Sequence, residues 1–227
     1  MTHAIKFALV VGVLFSMAAL GGVLDAADDS QDGSNDAFRP IKEAELPEGF
    51  PSYTPVGTIE VKQYPAMRKA AADGSNRFWA LFRHIKANNV AMTAPVEMRM
   101  GDAKAPTGRE ESMAFFYERA DQGTPGAAGG VTVVDDEALT VVSIGCRGRR
   151  TTESVEKARR QLLGWIAARS DQYEIAGPLR VMGYNSPFVP ANRQFYEVQI
   201  PVSLKSQAAN AREEAQIEPR MDANERE

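Results

Sequence analysis

The sequence is poor in the residues that bind metals or crosslink a chain. Among its 227 residues there is one cysteine, Cys146, and there are two histidines, His3 and His84. A single cysteine excludes an intramolecular disulfide framework and any cysteine-based zinc or iron–sulfur site. Two histidines exclude a histidine cluster. Any bound metal must therefore rely on very few imidazole or thiolate donors.

A strong charge of either sign is also missing. The chain carries a net charge of −4, with 25% charged and 44% hydrophobic residues, which is enough apolar sequence for a folded core. The acidity lies at the ends: residues 27–52 hold seven acids against two bases, and residues 203–227 hold six against four. The middle, 53–202, holds 19 bases and 16 acids. This small basic excess does not indicate a nucleic-acid-binding surface.

The N-terminus has the pattern of a targeting segment. Lys6 precedes the uncharged run Phe7–Leu24, and small residues follow before Asp28. This arrangement predicts a signal peptide over residues 1–26, with cleavage near Ala26. The alternative is an uncleaved N-terminal anchor, because eighteen apolar residues just reach the length of a membrane-spanning helix. Either way we expect the protein to be exported, periplasmic or secreted, with membrane contact only through an uncleaved anchor.

Composition divides the remaining chain into three parts. Residues 27–52 are acidic and polar, which predicts a disordered linker. Residues 203–227 alternate acids and bases with alanine and have no aromatic residue, which predicts a charged flexible tail. The middle, 53–202, is the expected functional domain.

Two stretches of the middle have helical periodicity. Phe78, Leu81, Phe82 and Ile85 follow the spacing of one helix face, after a capping position at Ser75–Asn76. A second such stripe begins after Thr151 and runs to about residue 169. Each helix follows a strand-like run, residues 58–64 or 139–146. After each helix come a small residue, a proline and an apolar residue, and later a Phe-Tyr-Glu triplet.

The order of these elements repeats at an offset of about 80 residues, which indicates an internal duplication. Each copy reads as a β-α-β-β unit. Two such units predict an α+β fold in which a distorted antiparallel β-barrel carries two packed helices on its outside.

Two short segments resemble the signatures of the SOUL haem-binding proteins. They are Met92-Thr93-Ala94-Pro95-Val96 and Gly183-Tyr184-Asn185-Ser186-Pro187. The opening strand 59–64 and the closing stretch 192–198 match the family's pattern in the same order. The resemblance covers residues 53–202. It implies the same duplicated barrel, haem or another tetrapyrrole as ligand and partner, and no established enzymatic reaction.

In SOUL-like proteins the first helix is implicated in haem contact, so the resemblance points to Phe78, Phe82, Arg83 and His84. The two phenylalanines would contact the ring, and Arg83 would pair with a propionate. His84 is the only imidazole left after signal cleavage and thus the only histidine that could bind the iron. The alternative is that both phenylalanines pack on the sheet while Arg83 and His84 lie at the surface. One type of member of this family is thought to bind the iron through a histidine at the position of Gln63. Haem binding without any histidine ligand therefore stays open for this chain.

A second hypothesis places the ligand at Glu197. The SOUL barrel is similar to the effector-binding domains of bacterial multidrug regulators, which hold cationic amphiphiles against an acid on a late strand. Glu197 stands in such a position among aromatic residues, and Tyr184 could line the same pocket. Alternatively, Glu197 faces outward from its strand. A protein-interaction module of the cell envelope, without a small ligand, is the third hypothesis.

Overall fold

The computed structural model describes residues 38–205, which form ten strands, two α-helices and a short 3-10 helix. The predicted signal segment 1–26 and residues 27–37 and 206–227 lie outside this range. No helix within the described range is long and apolar enough to cross a membrane. The elements are β1 Ile59–Tyr64, β2 Met67–Asp73, α1 Arg77–Ala87, β3 Val96–Arg99, β4 Ser112–Phe116, β5 Gly126–Ala128, β6 Val131–Asp136, β7 Leu139–Arg147, α2 Thr152–Ala167, β8 Tyr173–Ile175, β9 Arg180–Gly183, the 3-10 helix Ala191–Arg193, and β10 Phe195–Leu204.

All strand pairs in the sheet are antiparallel, in the order β1-β7-β10-β9-β3-β4-β2-β6-β5, with β8 pairing to the end of β10. Within residues 38–205 no ladder joins β5 to β1, so the sheet is open. The α+β class with two helices is confirmed, whereas the closed barrel is wrong. The strand before α1 is β2 rather than the predicted 58–64 run, and the internal duplication stays a prediction.

Both helices form where the apolar periodicity predicts them. In α1 the side chains of Leu81 and Ile85 are buried. In α2 the hydroxyl of Thr151 accepts a hydrogen bond from the Ser154 backbone N–H, and the hydroxyl of Ser154 accepts one from the Thr151 backbone N–H. This capping box fixes the first turn. Four apolar residues of α2 are buried at helical spacing: Val155, Ala158, Leu162 and Ile166.

The helices cover only one face of the sheet. α1 packs on β2, β4 and β6, and α2 packs on β7 and β10. Side chains alternate along each strand, so every second residue points to the opposite face. We call this opposite face the inner face. It carries aromatic and charged residues together: Lys62, Tyr64, Lys69, Glu97, Phe116, Arg180, Met182, Tyr184, Phe195, Glu197 and Gln199.

Residues 38–52 differ from the predicted disordered linker, because they pack on this domain. The ring of Phe50 makes edge contacts with Tyr64 and Phe116 at centroid distances of 4.8 and 5.4 Å. The carboxylate of Glu43 accepts hydrogen bonds from the backbone N–H and hydroxyl of Ser186 at 2.6 and 2.8 Å. Composition misled here because the packing rests on single residues, the apolar Phe50 and the acidic Glu43, which an average over the segment does not show.

The position of residues 54–57, the next segment of the chain, depends on a glycine of β7. A side chain at Gly145 would collide with the carbonyl oxygens of Thr54 and Pro55. The absence of a Cβ lets the backbone of residues 54–57 lie directly against β7, where the Gly57 N–H donates to the Gly145 carbonyl at 2.9 Å. Gly145 thereby sets the path by which the N-terminal segment reaches the inner face.

Candidate functional site

A surface cavity of about 310 Å³ lies beside α1. One wall is the helix face that carries Arg83 and His84, and the other is the end of β5 at Ala128 with the turn residue Gly129 that follows it. The volume lies at the lower end of the roughly 300–1,000 Å³ that small-molecule sites occupy. Small side chains make up much of the remaining lining, which consists of Ala80, Ala87 and Asn88.

The four residues predicted on α1 lie on two flanks of the helix. Arg83 and His84 line the cavity, whereas Phe78 and Phe82 are absent from its lining. Helical geometry explains the division, since the directions of Phe78 and Phe82 differ from that of His84 by about 120° and about 160° at about 100° per residue. The structure therefore brings the cation and the imidazole together but not the two aromatic rings.

The phenylalanines form a separate aromatic patch with Trp79. Phe78 stacks on Phe82 at 6.3 Å and makes an edge contact with Phe115 of β4 at 5.5 Å. Phe78 and Trp79 are nevertheless 40% and 46% exposed. The packing alternative thus holds only in part, because Phe78 touches the sheet at Phe115 and still has 40% of its surface exposed.

His84 is held by hydrogen bonds. Its Nε2 lies 2.7 Å from the hydroxyl of Tyr117, and its Nδ1 lies 3.4 Å from the side-chain nitrogen of Asn88. Partial burial lowers the pKa of His84, so the ring is neutral near pH 7. A neutral imidazole is the form that binds iron, but Nε2 reaches a metal only when Tyr117 releases it.

The second hypothesis concerned Glu197, and the structure buries this residue completely. The expected alternative of an outward-facing side chain is therefore wrong. Lys62 of β1 contacts both carboxylate oxygens at 2.9 and 3.0 Å. The carboxylate also accepts hydrogen bonds from the backbone N–H of Thr54 at 2.5 Å, from Gln199 at 2.6 Å and from Ser143 at 3.2 Å.

Glu97 is the centre of a second group of buried charges on the inner face. Its carboxylate accepts from Arg180 and Lys69, each at 2.8 Å, and Lys69 also pairs with Asp136 at 2.5 Å. Burial opposes ionisation of Glu97, but the two cations outweigh it and lower the pKa of this carboxyl. Sequence reasoning missed this group. The available signal was a charged residue set among apolar neighbours in each short strand, Val96-Glu97-Met98 and Arg180-Val181-Met182.

Tyr184 lies on the same inner face as Glu197, as the second hypothesis required. Its ring packs against Phe195 at 5.2 Å, and its hydroxyl makes no hydrogen bond to any of residues 38–205. Burial raises the pKa of Tyr184 well above its ordinary value, and the nearby charge of Glu197 raises it further. A cationic ligand at this place would have to displace Lys62 from Glu197.

The described residues offer little for nucleophilic or metal chemistry. The thiol of Cys146 is half-buried, and burial raises its pKa to about 11, which keeps it protonated at neutral pH. No group of three or more His, Cys, Asp or Glu side chains within residues 38–205 is arranged to hold a metal ion.

Comparison with known protein families gives one match, which spans most of the chain. The family described as SOUL heme-binding protein matches residues 50–201. The chain belongs to this haem-binding family, as the two signatures predicted. A comparison with curated proteins finds no match.

Solved structures share the fold at low sequence identity. The EcmrR chain in its DNA complex gives a TM-score of 0.51 at 16% identity over 64% of this chain, which spans 57% of that chain. The isolated EcmrR C-terminal domain gives 0.50 at 16% identity, covering 64% of this chain and 97% of that one. An uncharacterised conserved protein from Listeria innocua gives 0.51 at 14% identity, with coverages of 66% and 95%. At these identities the likeness concerns the fold alone.

The cavity beside α1 fits part of what haem requires. Arg83 supplies a cation for a propionate, and small side chains at Ala80, Ala87 and Ala128 let a flat ring approach the backbone. Haem binding would supply the iron chemistry, and His84 is the one imidazole among the described residues that could bind the metal. The ring faces would otherwise find few large apolar side chains in this cavity.

Proposed function

We propose that the protein is an exported, non-enzymatic haem or tetrapyrrole carrier, scavenger or buffer. The observation that supports this function is the cavity between α1 and the β5–β6 turn, where Arg83 and His84 lie side by side in a chain of a haem-binding family. Export rests on the apolar run at Phe7–Leu24, which resembles a signal peptide.

Binding at this cavity would rely on shape and one charge. Arg83 is exposed on the rim, so a propionate can reach it without burying a bare carboxylate. Ala128 and Gly129 leave the opposite wall open to the ring edge. His84 would contribute a hydrogen bond, or would bind the iron after its bond to Tyr117 breaks. This arrangement favours reversible binding, which suits a carrier or a buffer.

The test is a titration of the purified chain with ferric haem, followed through the Soret band. A charged hydrogen bond is worth about 1.5–3 kcal/mol, and the exposure of Arg83 favours the lower end. Arg83→Ala should therefore weaken binding about tenfold. Lys86→Ala is the matched control, because this cation lies on the same helix outside the cavity lining. Equal loss in both variants, or no Soret change in the wild type, would rule out this site.

The two other hypotheses predict different outcomes. A cationic amphiphile held by Glu197 should raise the melting temperature of the wild type and lose this effect in Glu197→Gln. The ion pair with Lys62 argues against that function, since the carboxylate already has its cation. An envelope interaction module would show neither effect. Its candidate surface is the exposed aromatic patch of Phe78, Trp79 and Phe82.

A further inference from the structure

Three buried polar atoms of the inner face have no hydrogen-bond partner among residues 38–205. They are Nη1 of Arg180, the hydroxyl of Tyr184 and Oε1 of Gln199. The three residues are only 5%, 8% and 0% exposed. Buried polar groups in proteins are nearly always paired, because an unpaired one has lost its water without replacement. Three such atoms on one face indicate that a partner belongs there.

These atoms belong to neighbouring positions. Arg180 and Gln199 are directly opposite each other in the β9–β10 ladder, and Tyr184 follows Arg180 by four residues on the same side. Tyr64 connects them: its ring centroid is 5.6 Å from the guanidinium carbon of Arg180, and its hydroxyl accepts from the Gln199 amide at 2.8 Å. The inner face thus presents two donors, Arg180 and Tyr184, beside one acceptor, the Gln199 oxygen.

The charges around this place are already balanced. Lys62 pairs with Glu197, Arg180 pairs with Glu97, and Lys69 pairs with both Glu97 and Asp136. An ion entering the site would therefore add an uncompensated charge in a buried place, which is costly. The ligand that matches is an uncharged group with an acceptor next to a donor. The apolar side chains packed on this face are Phe50, Tyr64, Phe116, Met182 and Phe195.

We propose that the inner face is a second ligand site, separate from the α1 cavity, for a small uncharged amide. The carbonyl of the amide accepts from Arg180 and Tyr184, and its N–H donates to the Gln199 oxygen. Glu97 and Glu197 position the site by fixing Arg180 and Gln199, to which they are hydrogen-bonded at 2.8 and 2.6 Å. This site does not depend on haem binding.

Three probes of the same shape test the charge argument: acetamide, acetate and acetamidinium, which carry charges of 0, −1 and +1. The measurement is the NMR shift of the Arg180 and Gln199 side-chain N–H signals in the folded chain. We expect a saturable shift with acetamide and at least tenfold weaker binding of the two ions. No saturable shift with acetamide would mean that water alone fills the site. Equal binding of either ion would also overturn the proposal.

Tyr184→Phe tests the geometry, because it removes a hydroxyl that has no hydrogen-bond partner among residues 38–205 and keeps the ring. It should weaken acetamide binding about tenfold. The control is Tyr196→Phe, whose hydroxyl bonds to Ser154 of α2 at 2.8 Å on the opposite face and should leave the affinity unchanged. Thermal melts, which add no amide to the sample, confirm that both variants are folded. Unchanged affinity in a folded Tyr184→Phe would refute the assignment.

Discussion

The buried pair of Lys62 and Glu197 allows a quantitative prediction. Both side chains are almost completely inaccessible, at 5% and 0% exposure. Removing one member of a buried pair typically costs about 3–5 kcal/mol, because the other charge stays buried alone. In Lys62→Met the carboxylate keeps three donors, from Thr54, Ser143 and Gln199. We therefore expect a loss near the lower end, about 3 kcal/mol.

Glu197→Gln should cost at least as much, because the Lys62 ammonium then stays buried beside a neutral amide and the Tyr64 ring at 5.9 Å, without a counter-charge. The double variant has no buried charge left at this pair. We expect its loss to be smaller than the two single losses combined by at least about 2 kcal/mol. The measurement is urea denaturation of the wild type, both single variants and the double variant at pH 7, with the slopes compared.

The reference for this cycle is the exposed pair Lys42–Glu45, which is 2.6 Å long but 66% and 76% exposed. A surface pair of this kind couples by less than about 1 kcal/mol. The argument would be refuted if the stability losses of the two single variants, at Lys62 and Glu197, add up to the loss of the double variant within about 0.5 kcal/mol. They would show that water or rearrangement solvates the remaining charge.

Four further predictions concern other parts of the fold. Gly145→Ala should destabilise the chain by about 1–3 kcal/mol in urea melts, since its methyl group collides with residues 54–55. Gly164→Ala, in open space on α2, should instead stabilise it by about 0.5–1 kcal/mol. The hydrogen bond from Arg159 lowers the pKa of Glu156 below its value in the unfolded chain. The stabilisation of the folded state by this carboxylate is therefore present above about pH 4.3 and is lost as the pH falls. Glu156→Gln should therefore flatten the loss of stability between about pH 5 and 3 in acid titrations. Tyr117→Phe frees Nε2 of His84, so iron ligation by His84 predicts a stronger low-spin Soret signal in this variant.

Opposite results would be informative. Similar effects of the two glycine substitutions would mean that the 54–57 segment moves away freely. If the Glu156 variant loses stability between about pH 5 and 3 as steeply as the wild type, other carboxyl groups cause the acid sensitivity. An identical haem spectrum after Tyr117→Phe would leave Arg83 and the ring edges as the basis of binding.

The helices were predictable because their signal is local. Leu81 and Ile85 recur at helical spacing, and Thr151 caps α2 as its residue type suggests. β2 was missed because its alanine-rich sequence, Met67–Asp73, has neither β-branched residues nor a clear alternation. The open sheet could not be predicted either, since closure depends on strand pairings rather than on any strand's sequence.

The candidate sites were predictable only in part. The resemblance selected the correct helix, and Arg83 and His84 do share a cavity. It could not show that Tyr117, 33 residues away, holds the imidazole. The partner of Glu197 was equally hidden, because Lys62 lies 135 residues earlier and reads as a solvent-facing position of β1. Contacts between residues far apart in the chain leave no periodic pattern in the sequence from which they could be predicted.

The order of the strands has a consequence for how this chain folds. β1 pairs with β7, β2 with β6, and β3 with β9, so three ladders join the part before the loop at 119–125 to the part after it. In each part, strands remain without a hydrogen-bonded neighbour until the other part has folded against them. Such pairings require closing long loops before any contact is gained, which slows folding. The chain should therefore collapse late and cooperatively, and two fragments cut within 119–125 should gain their structure only when mixed.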